Sequence, residues 1–220
     1  MVTVSLLPFN NSVIDKNLGK MMNLSIIRSF GVVMALVVAG VSGQAIAQSD
    51  DPKANEVVPV VDGEVFDRII IVKSEDYTSS LEVNYTRTTD DAVTWSKQVS
   101  YIRLQDPEIN TAKKYAKVAI DALGKVSPNA KYQASSNEDG SIILLDFVVN
   151  RSDMNFIEFN LYRIEEGEHG VYSIRMVSRV PLLVTPTKEN MAPVIAMKKQ
   201  WLAQSARFDM AKIKQMLDAL

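Results

Sequence analysis

The amino-acid sequence predicts an α+β protein in which an antiparallel sheet carries helices packed on its faces. Residues 141–180 read as three consecutive strands joined by two short polar turns. Strand-like alternation also precedes this stretch, and apolar residues with helical spacing occur before and after it. The 220-residue chain is 47% hydrophobic and 23% charged, which is the composition of a globular domain with a sizeable core.

The first 47 residues have the pattern of a secretory signal peptide and are set aside from the fold. Lys20 and Arg28 supply a positive region, and residues 30–41 form an apolar run of about a dozen residues. The Ala-Ile-Ala sequence at 45–47 has the small-x-small form that signal peptidase cleaves, so the mature chain is predicted to begin at Gln48.

An uncleaved transmembrane anchor is the alternative interpretation of this leader. A membrane-spanning helix needs about 20 apolar residues, and the run at 30–41 is shorter than that. Residues 1–20 precede a second start at Met21 or Met22, and we interpret them as an over-extended gene start. The membrane is therefore expected to be contacted only through an uncleaved signal segment.

Composition limits the remaining function classes. The chain has no cysteine, which excludes disulfides, thiolate metal sites and a lipid-modified cysteine. Without the leader it keeps 25 acidic and 21 basic residues, a net charge of −4, so a nucleic-acid partner is not expected. Leader and composition together predict a soluble protein of the bacterial periplasm.

The mature chain is predicted to be a flexible terminus at 48–62 followed by a single domain at 63–220. In this domain, strands are expected at 66–73, 81–87 and 93–104, since apolar and polar residues alternate there.

A helix is predicted between this first set of strands and the central trio. Asp106 followed by Pro107 fits a helix N-cap, and an apolar stripe with helical spacing continues to Gly124. An edge strand is expected at 130–135, after which residues 142–149 begin the trio.

The second and third strands of the trio form a predicted hairpin around the polar turn 165–170. Its register places Glu158 opposite Val177, with Arg175 and Arg179 on the diagonals. One face of the hairpin is then apolar and the other is charged.

The strand at 142–149 is apolar on both faces apart from Asp146, so its register has to follow from the pattern. Pairing Leu145 with Phe159 keeps the apolar face continuous and sets Asp146 directly opposite Glu158. The predicted polar surface of the sheet consists of four charged residues: Asp146, Glu158, Arg175 and Arg179.

Two helices are predicted after the sheet. The main one has Pro193 in its first turn, and Asp209 is the predicted cap of a last short helix. The apolar stripe of that last helix implies that it docks on the domain.

The polar surface allows two chemical interpretations. Carboxylates opposed across two strands lie about 5 Å apart at Cβ, a spacing that suits a retaining glycoside hydrolase. The two arginines would instead neutralise Asp146 and Glu158 in a cross-strand ion network, which is the more common role of such groups.

His169 is the single histidine and lies in a turn, so no catalytic residue, metal site or cofactor is predicted. Trp95 with Tyr101, and Trp201 with Phe208, could offer aromatic platforms, although core packing is the usual role of such residues.

The order of elements after the leader resembles the PsbP-like family. The resemblance rests on strands with Trp95 in the third, the helix at 106–124, the meander at 130–180 and a terminal helix with Trp201 before Phe208. The family includes extrinsic photosystem proteins, Ran-binding Mog proteins and small bacterial envelope proteins. It implies an antiparallel sheet covered by helices on both sides, and a binding or assembly role without catalysis.

We therefore expect an exported periplasmic binding or accessory protein that contacts another envelope protein. The alternative is a small hydrolase of envelope polymers that uses Asp146 and Glu158.

Overall fold

A computed structural model of the chain describes residues 51–74, 79–91, 94–151, 154–181 and 192–220. The predicted signal segment lies outside the described residues. None of the helices in these ranges is both long and apolar enough to span a membrane.

The described chain forms an α+β fold around a seven-stranded antiparallel sheet, which confirms the predicted fold class. The strands are β1 (Val60–Val61), β2 (Glu64–Val65), β3 (Arg68–Ser74), β4 (Ser79–Thr86), β5 (Lys97–Gln105), β6 (Lys131–Ser136), β7 (Ile142–Arg151), β8 (Phe156–Gly167) and β9 (Gly170–Pro181). In the large sheet the strand order is β3-β4-β5-β9-β8-β7-β6, so β5 and β9 join the early strands to the later meander. Strands β1 and β2 form a separate two-stranded sheet.

Helices cover both faces of the large sheet. They are α1 (Pro52–Asn55), α2 (Ala112–Val126), α3 (Ala192–Ser205) and α4 (Met210–Ala219). One face, here called the α3 face, packs against α1, α3 and α4 through sheet residues Leu81, Val83, Tyr85, Val99, Tyr101, Phe159, Leu161, Tyr172, Ile174 and Met176. The other, the α2 face, packs against α2 through Leu104, Ile143, Leu145, Phe147, Val149, Tyr162, Ile164 and Val171.

Capping residues explain where two of the helices begin. The Asp209 carboxylate accepts a hydrogen bond from the Lys212 amide at 3.1 Å and caps α4, as the sequence predicts. The predicted cap of α2 is wrong. Thr111, rather than Asp106, caps this helix by accepting from the Lys114 amide. The Asp106 carboxylate accepts from a nearby backbone amide and so closes a turn before the helix.

The β8–β9 hairpin is tighter than the sequence analysis expects. Strand β8 ends at Gly167 and β9 begins at Gly170. These two glycines pair directly, so the turn between the strands has only two residues. A side chain at Gly170 would collide with the Leu104 carbonyl, and its φ of 132° is one that glycine adopts most readily. The register shifts by two residues, so Glu158 lies opposite Arg179 rather than Val177. An even shift keeps every side chain on its predicted face.

The predicted register of β7 against β8 is wrong. Leu145 pairs with Tyr162 rather than Phe159, and Asp146 pairs with Leu161 rather than Glu158. This is a shift of three residues, and an odd shift moves side chains to the opposite face. The cause is that helices cover both faces of the sheet, so β7 and β8 carry apolar residues on both sides and the pattern does not select one pairing.

Residues 51–62 were expected to form part of a flexible terminus, but they pack on the core. Ala54 and Val61 are no more than 1% exposed. The buried Tyr85 hydroxyl donates to the Ala54 carbonyl at 3.0 Å, and the Tyr101 hydroxyl donates to the Val57 carbonyl at 3.1 Å. The segment is therefore part of the folded domain. Its carbonyl groups accept the hydrogen bonds that the two tyrosine hydroxyls of the sheet donate, and these bonds hold it in place.

Candidate functional site

The four charged residues predicted to share one surface lie on two faces of the sheet. Asp146 points to the α3 face, where its Oδ1 lies 2.6 Å from Lys198 Nζ of α3. Glu158, Arg175 and Arg179 lie together on the α2 face, because they alternate with core residues of the α3 face along β8 and β9. The structure thus brings three of the four residues together and separates the fourth.

Glu158 is fixed by two neighbours on the α2 face. Arg179 lies directly opposite on β9, with 3.4 Å between its Nε and Glu158 Oε2. Asn160, two residues along β8, donates to Glu158 Oε1 at 3.0 Å. Each carboxylate oxygen therefore has a donor, which suits a structural ion pair.

Arg175 has a different partner from the one that the sequence suggests. Its Nη2 lies 2.6 Å from Glu82 Oε1 and 3.1 Å from Ser100 Oγ. Glu82 belongs to β4, so the ion pair crosses the intervening strand β5. The Arg175 and Glu82 side chains are only 1% and 5% exposed, which makes this a buried ion pair.

These residues belong to a wider set of buried polar side chains on the α2 face, here called the polar layer. None of its members is more than 8% exposed. The Asn84 side-chain oxygen accepts from Gln98 Nε2 at 2.5 Å and from Ser100 Oγ at 2.6 Å, which links β4 to β5. The members are Glu82, Asn84, Thr86, Gln98, Ser100, Glu158, Asn160, Tyr162, Ser173 and Arg175.

Burial determines the protonation states in this layer. Burial lowers the pKa of Arg175, but the Glu82 carboxylate and the Tyr162 and Tyr115 hydroxyls together raise it by more, so the guanidinium stays charged. Burial also raises the pKa values of Tyr162 and Tyr115, and both phenols stay neutral. The Tyr115 hydroxyl of α2 lies 3.4 Å from Ser173 Oγ, so the helix adds a polar group to the layer.

A more exposed group of side chains adjoins Glu158, and we call it the Arg179 patch. The Arg179 guanidinium carbon lies 3.6 Å from the centre of the Trp95 ring and 4.9 Å from that of Phe156. Both rings are half-buried, and the Arg179 side chain is 17% exposed. Met154, in the turn before β8, is 42% exposed. The patch consists of Trp95, Phe156 and Arg179, with Met154, which precedes Phe156 by two residues.

The aromatic platforms expected from the sequence are divided between the two faces. Tyr101 packs against Tyr85 and Phe208 in the α3-face core, and so does not join Trp95. Trp201 packs against Phe159 at a ring distance of 5.8 Å. The role of Trp95 as the partner of Arg179 was missed, because the two residues are far apart in sequence.

The geometry contradicts the carboxylate pair that a hydrolase would need. Asp146 and Glu158 project from opposite faces of the sheet, so they cannot flank one scissile bond. Among the described residues, no group of three or more histidine, aspartate or glutamate side chains could hold a metal ion. His169 is exposed in the β8–β9 turn.

No protein-family model, curated protein or solved structure matches the chain.

Proposed function

We propose that the chain is exported to the bacterial periplasm and acts there as a non-enzymatic binding or accessory protein. Its partner would be another envelope protein, contacted through the Arg179 patch. The single observation that supports this most is the patch itself, where an arginine contacts two aromatic rings next to a buried polar layer.

The composition of the patch suits protein recognition. Tryptophan and arginine carry much of the binding energy at protein interfaces, and methionine and aromatic residues are enriched there. Both ring contacts and the Glu158 carboxylate hold the Arg179 side chain. A side chain that is already fixed loses little entropy when a partner binds, which favours affinity.

The layout of the domain also supports a binding role. Helices lie on both faces of an antiparallel sheet, which is the layout that the PsbP-like resemblance implies. Members of that family act mostly by binding or assembly. This support is an analogy at the level of the fold, and the patch supplies the residues that can be tested.

Capture of a partner from envelope extracts tests the proposal. Immobilised mature protein should retain a specific partner, and Trp95→Ala or Met154→Ala should weaken that binding at least about 30-fold, as expected for interface hot spots. Tyr132→Ala is the matched control, because Tyr132 is 45% exposed on the edge strand β6 and lies outside the patch. If the patch variants retained the partner as well as the Tyr132 variant, the patch would not be the interface.

Export can be tested separately by sequencing the N-terminus of the protein made from the full chain. We expect a soluble periplasmic protein that starts at Gln48. Ala47→Trp should leave the leader attached, since signal peptidase requires a small residue at this position. Wild-type protein that kept residues 22–47 and stayed in the membrane fraction would contradict the proposed cleavage and soluble state.

A further inference from the structure

We propose that the polar layer around Arg175 binds an oxyanion, that is, a carboxylate or phosphate group. The site lies in the interior of the domain, and it does not depend on the Arg179 patch or on a protein partner. Its central residue is Arg175, which is 1% exposed and lies in the middle of the sheet on β9.

The guanidinium group of Arg175 is only partly used by its neighbours. Nη2 donates to Glu82 and Ser100, and the Tyr162 hydroxyl lies beside the guanidinium, where it helps to raise the pKa of Arg175. Nε and Nη1 make no hydrogen bond of good geometry in the part of the chain that the structure describes. Charged donors that are buried without an acceptor are costly and are rare in native proteins. The two N–H groups therefore indicate an acceptor that the described residues do not provide.

Thr86 is a second member of the layer with a buried polar atom that lacks a hydrogen-bond partner among the described residues. Thr86 is 2% exposed, and its Oγ1 has no partner among the described residues. It lies on β4, two residues beyond Asn84, on the same face of the sheet as Arg175. The α2 face thus carries a second buried polar atom without a partner among the described residues, and a third such atom, Arg103 Nε, lies on the α3 face.

The side chains next to the guanidinium are small and carry hydroxyl groups. Ser100 lies directly opposite Arg175 on β5, and Ser173 precedes it by two residues on the same face. Tyr115 and Tyr162, whose pKa values are raised, can donate as neutral phenols. The surroundings of Arg175 are thus rich in donors, as anion sites are.

The unused donors of Arg175, and not the net charge of the layer, favour an anion over a cation. Glu82 already accepts from Arg175, and both oxygens of Glu158 accept from Asn160 and Arg179. The Asn84 side-chain oxygen accepts two hydrogen bonds. Because the unused atoms of Arg175 are charged donors, an oxyanion complements them, whereas a metal cation would be repelled.

Thermal unfolding of the mature protein in sodium acetate and sodium phosphate, against sodium chloride at equal ionic strength and pH, tests this site. At anion concentrations above the Kd, the Tm should rise by about 3–6 °C for each tenfold increase in the free anion concentration. A rise with acetate alone identifies a carboxylate site, and a rise with phosphate alone identifies a phosphate site. Equal Tm values in all three salts would mean that internal water satisfies Arg175, and would overturn the proposal.

A matched pair of variants separates the site from general salt effects. The double variant Glu82→Met with Arg175→Met removes both buried charges and should lose the anion-dependent rise. Lys117→Met with Asp121→Met removes an exposed ion pair on α2 and should keep it. If both double variants responded like wild type, the effect would not involve Arg175.

NMR provides a readout that requires no variant to fold. In ¹⁵N-labelled wild-type protein, the Nε–H signal of Arg175 should shift as acetate or phosphate is added, whichever raises the Tm, and the shift should reach a plateau. A signal that does not move during the titration would contradict binding at Arg175.

Discussion

Arg175→Met should lower the free energy of unfolding by about 3–5 kcal/mol, which is the usual cost of removing one partner of a buried ion pair. The change leaves the Glu82 carboxylate 5% exposed and without its cation, which now lies 2.6 Å away. Urea unfolding followed by circular dichroism measures this difference, because the urea midpoint shifts in proportion to stability while the slope stays constant.

Removal of both charges should restore most of that loss. Replacing a buried ion pair with apolar side chains is often neutral or stabilising, by about 1–4 kcal/mol. We therefore expect the double variant Glu82→Met with Arg175→Met to be more stable than Arg175→Met alone. A double variant that lost as much as the sum of two single losses would show that the two groups are not coupled.

The exposed pair on α2 is the control for this measurement. Lys117 and Asp121 also approach to 2.7 Å, but their side chains are 40% and 39% exposed. Solvent screens such a pair, so Lys117→Met should change the free energy of unfolding by no more than about 1 kcal/mol. The contrast would attribute the loss at Arg175 to burial, and not to the distance between the charges.

Local signals allowed the elements to be predicted from the sequence. Alternation of apolar and polar residues identified the strands, and it depends only on neighbours along the chain. The cap at Asp209 was found because a cap acts on the next few amides. The cap of α2 was assigned to Asp106, since an aspartate before a proline fits the same pattern as Thr111.

Strand register was harder to predict because it depends on what covers the sheet. The β8–β9 hairpin kept its faces, since only one face of these strands carries most of the charged residues. The predicted β7–β8 pairing placed side chains on the wrong face, because β7 is apolar on both sides and several registers bury the same residues. This one error moved Asp146 from the side of Glu158 to the side of Lys198.

The centre of the polar layer could not be predicted from local patterns. Arg175 and Glu82 are 93 positions apart and belong to strands that are not neighbours in the sheet. The available signal was the alternation of β4, where Glu82 and Asn84 lie on the face opposite Leu81 and Val83. This alternation shows that Glu82 and Asn84 share a face, but it does not show that the face is covered, and the structure buries both residues.

Phe159→Ala should be nearly as damaging as the loss of Arg175, at about 3–5 kcal/mol. Phe159 is 1% exposed in the α3-face core, and its ring lies 5.8 Å from that of Trp201. Truncation removes the contacts of a whole ring and leaves a cavity between β8 and α3, which the rigid sheet cannot close.

The control for this cavity has to be an exposed aromatic residue. Asn160 follows Phe159 on the opposite face of β8, but it cannot serve as this control, because it is 2% exposed and donates to Glu158. Tyr132→Ala is a better match, since it removes a ring of similar size from a site that is 45% exposed. It should change stability by about 0.5 kcal/mol or less, because little apolar surface is lost there. Equal urea midpoints for the Phe159 and Tyr132 variants would mean that Phe159 does not pack in the core, and that the face assignment of β8 is wrong.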